Sequence, residues 1–400
     1  MRLTLITLLL LVFSSPATAQ VRTGLDVLLS DSLHVLQGKR VGLITNHTGR
    51  DALGRRNVDL IFKAPGVQLV ALYGPEHGFG GVARGGDKVG FATDSATGLP
   101  VHSLYGETRI PSAEMLKDVD VLLYDIQDVG ARVYTYEWTM ALAAEAAGKL
   151  GKTFIVLDRP NPIRADRVEG GVLELQHRSF VGQYDVALRY GLTAGELLQF
   201  LVGTKRLSAD VKVIPMQGYR RSMWYQETML PWINPSPNIR DEEAELLYPG
   251  TVFFEATNLN EGRGTDAPLK QVGAPWLTDA AEIARVLNAR NIPGIRFAAR
   301  TVAVATGDKH GGKTIPMVRL FVANRDSAQP VAAAVYLMRE IRRRHPMQFS
   351  WQKGNGAERL SGTAAFRAAI DSGRVDALLA RWRRESEAFE LSTRPYRIYQ

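Results

Sequence analysis

Carboxylates, amides and a histidine crowd into a few short turns of this chain. Leu72–Gly81 reads LYGPEHGFGG, so Glu76 and His77 stand among four glycines behind a proline. TNHTG brings Asn46, His47 and Thr48 together. YDIQDVGARVYTYEW carries Asp125, Gln127, Asp128, Arg132 and Tyr134, and LDRPNP carries Asp158, Arg159 and Asn161. RVEGGVLE sets Glu169 before a Gly-Gly pair, NPSPNI adds Asn234 and Asn238, and EATNLNEGRGTD adds Glu255, Asn258, Glu261 and Arg263. Amides and guanidinium groups hydrogen-bond hydroxyls and acids, aromatic rings stack on sugar faces, and a pair of carboxylates is what glycosidic hydrolysis requires. The palette suits a carbohydrate. Glu76 is the leading carboxylate and the expected general acid: Pro75 and Gly78 turn it out of a strand, and Gly80 and Gly81 let a ligand approach the backbone. One acid of such a pair must stay protonated near neutral pH, which burial against apolar groups achieves. Tyr73 and Phe79 flank this loop in the sequence.

Each turn also has a plainer reading. PEHG is a turn by composition, and a Glu before Gly-Gly is commonly just solvated. Asp128 is placed to cap the helix that follows, Arg132 to pair with a nearby carboxylate, His47 to satisfy its own loop, and LDRPNP to make a rigid turn. His77 with Asp125 and Asp128 offers donor types that a divalent metal accepts, but the spacing does not single one out. Other chemistries lack their marks. The chain has no G-x-x-x-x-G-K-[ST], no H-E-x-x-H and no G-x-S-x-G, and its first turn, TNHTGRDALG, lacks G-x-G-x-x-G.

These turns need elements to position them. KRVGLITN, VQLVALYG, VDVLLYDIQ, KTFIVLDRP and VKVIPM are apolar runs without alternation, as in strands covered on both faces. NVDLIFKA, YEWTMALAAEAAGKLG and LTAGELLQFLVG between them have helical periodicity. This predicts an α/β protein whose N-terminal domain, residues 20–248, is a Rossmann-like, doubly wound, mostly parallel sheet. Ligands of such sheets sit beyond the carboxyl ends of the strands, where the polar turns fall. Residues 249–400 predict a smaller α+β domain. TDAAEIARVLNARN is a helix capped by Thr278, RFAARTVAV and IPMVRLFVA are strands, and VAAAVYLMREIRRR, GTAAFRAAI and VDALLARWRRESEAF are helices.

The 400 residues are 45% hydrophobic and 22% charged, ordinary for a globular chain. Residues 1–19 read as a secretory leader: Arg2, an apolar Leu3–Phe13 run and a small Ala17-Thr18-Ala19 cleavage site, with Gln20 the expected mature start. The reading is therefore of an exported protein, periplasmic or secreted, with no membrane anchor after cleavage near Ala19. With no cysteine it has neither disulfides nor thiolate chemistry. Its net charge of +8 suits an anionic polymer or sugar acid. The basic runs REIRRRH and ARWRRE lie on helical patterns as solvated faces, so no nucleic-acid partner is expected.

Taken together, GLITNHTG, YGPEHGF, DIQDVGARVYTY, LDRPNP, GGVLE, NPSPNI, YPGTVFFEATNLNEGRGTDAPL and GAPW resemble, in order and over nearly the whole mature chain, the domain of unknown function 1343 family. That family is associated with the exo-β-N-acetylmuramidase NamZ and glycoside hydrolase family 171. The resemblance implies a Rossmann-like domain with a smaller C-terminal one. It also implies release of terminal N-acetylmuramic acid from the non-reducing end of peptidoglycan-derived muropeptides or disaccharides, as in cell-wall turnover, without cofactor or metal. It places catalytic glutamates at Glu76 and Glu169. Asn46, His77, Asp125, Arg132, Tyr134, Asn161, Glu261 and Arg263 are expected to bind substrate, with Arg132 or Arg263 on the lactyl carboxylate. A non-catalytic wall-binding protein and a metal-dependent esterase or phosphodiesterase remain the alternatives. Turnover separates the first from an enzyme, and chelation separates the second.

Overall fold

The computed structural model describes residues 20–400; the leader assigned to residues 1–19 lies outside them. The chain lays down β1 (Arg40–Thr45), β2 (Gln68–Gly74), β3 (Ala92–Thr93), β4 (Pro100–Ser103), β5 (Val121–Asp125) and β6 (Thr153–Leu157). A short antiparallel ribbon follows, β7 (Glu169–Val172) on β8 (Ala187–Arg189), and then β9 (Val211–Ile214). The main sheet has the order β3-β4-β2-β1-β5-β6-β9. All of its pairs are parallel except β3 with β4.

Side chains alternate across a strand, so neighbours enter opposite cores. Ile44, Leu122, Tyr124, Phe154 and Val156 join one core with helices Tyr136–Lys149 and Ala194–Gly203. Leu43, Leu72, Leu123 and Ile155 join the other, with Val58 and Ile61 of helix Asn57–Phe62. Both positions are apolar in each strand because both faces are covered. These three helices connect successive parallel strands, as the sequence predicts. Thr193 and Glu196 cap the second of the longer ones reciprocally.

Helix Glu242–Thr251, capped by Asp241, carries the chain onward, so the boundary drawn at residue 248 falls inside a helix. Beyond it, β10 (Gln271–Gly273), β11 (Ile295–Ala303) and β12 (Thr314–Val322) form an antiparallel sheet in the order β10-β12-β11. Helix Ala280–Ala289 packs on this sheet and Pro330–Arg344 packs on that helix and on Glu242–Thr251, followed by Gly356–Ser361, Ala365–Ser372 and Val375–Thr393. Thr278 is not the N-cap of the first. Asp279 takes that place and makes no capping bond, because its carboxylate meets Arg344 at 3.2 Å and His345 at 2.6 Å.

Both ends of the described chain close on the carboxyl end of β6. Gly24 N donates to Asp158 O at 2.8 Å and Arg22 N to Gln217 O at 3.0 Å. Tyr399 Oη donates to the Asp158 carboxylate at 2.7 Å and accepts from Met216 N at 2.9 Å, and Ile398 N donates to Glu196 at 2.9 Å. Among the described residues no helix is long and apolar enough to cross a membrane.

Candidate active site

Because β1, β2, β5 and β6 run parallel, the turns bearing Asn46, Glu76, Asp125 and Asn161 leave the same edge of the sheet. The β2 turn is built tightly. Gly78 N donates to Pro75 O at 3.0 Å, Gly81 N to Gly78 O at 3.1 Å and Ala83 N to His77 O at 3.1 Å. His77 is held at φ 67°, rare for a residue with a side chain. Its Nδ1 meets Ala83 O at 2.8 Å. Glu76, half-buried, accepts from Gly86 N at 2.9 Å on one oxygen and from Thr135 Oγ1 at 2.6 Å on the other. Its apolar neighbours are not Tyr73 and Phe79. Tyr73 is buried below the edge with its hydroxyl on Met115 O, and Phe79 packs in the other core. Tyr105, Tyr136 and Tyr248 lie within reach of the Glu76 charge instead. Burial, with Glu76 adding to it, pushes the Tyr105 phenol up to about 12.

The β1 turn closes against this loop. A side chain at Gly81, itself at φ 72°, would place its Cβ 2.0 Å from the His47 ring, so only glycine fits. His47 Nε2 contacts Asn234 O at 2.7 Å; burial pulls its pKa down, and His77 and Arg50 add to this. Asn46 is buried. Its oxygen accepts from Thr48 N at 2.9 Å and Thr48 Oγ1 at 2.6 Å, while Nδ2 has no acceptor among the described residues. Tyr134 and Tyr136 meet edge to face at 4.7 Å, and Tyr134 meets Tyr248 at 5.9 Å.

The C-terminal domain supplies the opposing charges. Arg263 pairs with Glu255, and its Nε lies 2.9 Å from Glu261. Lys309 Nζ reaches Glu261 at 3.0 Å and the carbonyls of Phe254 and Leu259 at 3.0 Å each. Burial raises the pKa of Glu255 and the neighbouring Glu261 adds to that, against the pull of Arg263. Burial pulls the Arg263 pKa down, but Glu255 and Glu261 outweigh it and raise it. Tyr248 feels Glu255, Arg263 and Glu76 alike, so it stands where the two halves meet.

Several expected site residues have other work. Asp125 is fully buried and holds Arg159 Nε at 2.6 Å and Asn57 Nδ2 at 2.7 Å. Asn161 staples its turn, donating to Leu192 O at 2.8 Å and accepting from Ile163 N at 3.1 Å. Arg132 is wholly buried and donates to Leu360 O at 2.9 Å, and burial pulls its pKa down to about 9; it does not face the cleft. Glu169 lines a different cavity. It caps helix Pro330–Arg344 through Val331 N at 3.0 Å and Ala332 N at 3.3 Å, and shares no partner with Glu76. The Gly-Gly after it serves packing: a Cβ on Gly171 would come 2.3 Å from Trp382 Nε1. Among the described residues, no group of three or more His, Cys, Asp or Glu side chains could hold a metal.

Sequence reasoning passed over Thr135 and Tyr136, although they stand in the motif that supplied Tyr134. Tyr105 and Tyr248 were passed over too: Tyr105 follows β4 outside every polar turn, and Tyr248, though it opens the YPGTVFFEA motif, sits in a helix patterned like any core tyrosine.

Two family models cover the chain: exo-beta-N-acetylmuramidase NamZ, N-terminal, over residues 41–243, and its C-terminal counterpart over residues 246–399. The peptidoglycan beta-N-acetylmuramidase NamZ of Bacillus subtilis (strain 168) is 40% identical over 381 residues, 95% of this chain and 92% of that protein. A crystal structure of a DUF1343 family protein from Bacteroides fragilis superposes with TM-score 0.89 at 36% identity, covering 96% of this chain and 100% of the other. A second such protein from the same organism gives 0.75 at 29% identity, covering 96% and 99%.

Proposed function

We propose, on the premise that the chain belongs to the exo-β-N-acetylmuramidase NamZ family, that it releases terminal N-acetylmuramic acid from the non-reducing end of peptidoglycan fragments. As a member of that family it is a glycoside hydrolase. The observation that carries the finer reading is the placement of Glu76. A rigid turn at the carboxyl edge of the sheet presents it, two donors fix its oxygens, and Tyr248 is within reach of its charge and of the Glu255–Arg263 pair.

Roles follow from the surroundings. Both oxygens of Glu76 already accept hydrogen bonds, which suits a carboxylate acting as base or nucleophile rather than the general acid expected from the sequence. Glu255, raised by burial, is the better proton donor to the leaving oxygen. Once Glu255 holds a proton, Arg263 has lost one of its two counter-charges and can take the lactyl carboxylate. Asn46 Nδ2, buried without an acceptor, is available to a sugar oxygen. On this reading Glu255 replaces Glu169 as the second carboxylate. Export by the leader, with work in wall turnover, completes the reading; the mass of the processed N-terminus, expected to begin at Gln20, tests it.

The direct test is incubation with a chromogenic N-acetylmuramic acid glycoside and with its N-acetylglucosamine analogue. Release from the first and little from the second is expected. Equal hydrolysis of both, or of neither, overturns the reading.

A further inference from the structure

Away from the cleft, the β7–β8 ribbon, the start of helix Pro330–Arg344 and helix Val375–Thr393 enclose a cavity of about 770 Å³. That is the size of a small-molecule site, roughly 300–1,000 Å³. Glu169 and Arg189 line it. Arg189 is 3% exposed. It donates through Nη2 to Ile163 O, its Nη1 lies 4.0 Å from Glu169, and its Nε has no acceptor among the described residues. The indole Nε1 of Trp382, which lines the same wall, has no acceptor there either. A buried guanidinium so thinly compensated is costly, and burial pulls its pKa down to about 10. The two N–H groups of the helix start are not free, since Glu169 occupies them.

The charges around the mouth point the same way. Of the acids lining it, Asp326 is held by Arg164, Asp376 by Arg290 and Glu390 by Arg397, none of which lines the cavity. Arg383 has no acidic partner among the described residues, and Arg167 meets only Asp166, at 4.0 Å. Glu387, on the rim, is the lining acid left without a cation. What the cavity lacks is an acceptor for Arg189.

We propose that this cavity is a second binding site, for a small carboxylate-bearing ligand seated on Arg189 with Arg167 and Arg383 at its mouth. The carboxylate comes from a sugar acid or from a peptide. The choice of probes rests on the function proposed above; the argument from Arg189 does not.

The test is calorimetric titration of the full chain with N-acetylmuramic acid, with L-alanyl-D-isoglutamine and with N-acetylglucosamine, which lacks a carboxylate. Wild type is compared with Arg189→Gln, with Arg167→Ala/Arg383→Ala and with Glu76→Gln. At least one carboxylate probe is expected to bind Arg189→Gln about tenfold more weakly, and the exposed double variant several-fold more weakly. The Glu76→Gln protein should keep this binding, and N-acetylglucosamine should show none that depends on Arg189. If Arg189→Gln does not fold, the double variant alone decides, since its residues are at the surface. Failure of both carboxylate probes to bind wild type at millimolar concentration overturns the proposal. So does binding that is lost only in Glu76→Gln, which would place the ligand in the cleft. Loss of hydrolysis with retention of Arg189-dependent binding would fault the functional reading and leave this site standing.

Discussion

Replacing Glu76 by Gln keeps the shape of the side chain and one acceptor oxygen for Thr135 or Gly86 while removing the charge. The turn around it is held by backbone bonds, so the fold should survive. Turnover should fall by roughly 10²–10⁴ on both activated and unactivated muramic glycosides. Glu255→Gln should spare the activated glycoside, whose leaving group needs no proton, and lose the other. Paired stopped assays on the two substrates check this, and near wild-type turnover by folded Glu76→Gln on both would remove Glu76 from the chemistry. Arg263→Ala should weaken the muramic substrate by about 2 kcal/mol, because a desolvated carboxylate loses its partner. The glucosamine analogue should be indifferent to that change, and KM for each substrate reads the difference. Arg132→Ala, by contrast, should cost stability and leave substrate selection untouched.

At the scale of elements, the carboxyl edge is held open by buried bonds beneath the cleft. Asp125 ends β5 and ties Arg159 to Asn57. Arg159→Ala leaves Asp125 in the interior without its counter-charge and with Asn57 as its remaining side-chain partner, so unfolding in urea should show a loss of roughly 3–5 kcal/mol. A loss below about 1 kcal/mol would mean that water reaches Asp125. The same residues show what the sequence disclosed. The long apolar runs and helical periods were legible because their length makes burial on both faces unambiguous. The strand ends were legible as polar, but polarity there has two uses, ligand contact and bracing, and residue type does not separate them. Asp125, Asn161 and Arg132 turned out to brace. Glu169 misled for a different reason: its Gly-Gly neighbours looked like room for a ligand and are room for Trp382. Ribbons as short as β7–β8 and β10 left no period to read.

For the whole molecule, carboxyls buried by the fold set the pH response. Burial raises Asp158 to about 6 and Glu169 to about 7, and raises Glu137 and Glu245 as well. A carboxyl whose folded pKa lies above its unfolded value binds protons more readily when folded, so these groups favour folding at low pH. For Asp158 and Glu169 that contribution fades as pH rises from about 4 to about 7. Asp120, pushed down to about 2 by hydrogen bonds from Arg40, works the other way only below about pH 4, and at the surface. The thermal midpoint should therefore be higher at about pH 5.5 than at pH 8; an equal or lower midpoint in calorimetry would contradict it. Asp158 has a further importance, through the tail that meets it. A ribosome delivers this chain from its amino end, yet the corner at β6 lacks the Tyr399 hydroxyl and the Ile398 amide until residues 398–399 have been made. The N-terminal domain is thus closed only after the C-terminal one has been synthesised. If the leader directs export, a polypeptide that stays unlatched during translation is one that can still be threaded through a translocation channel.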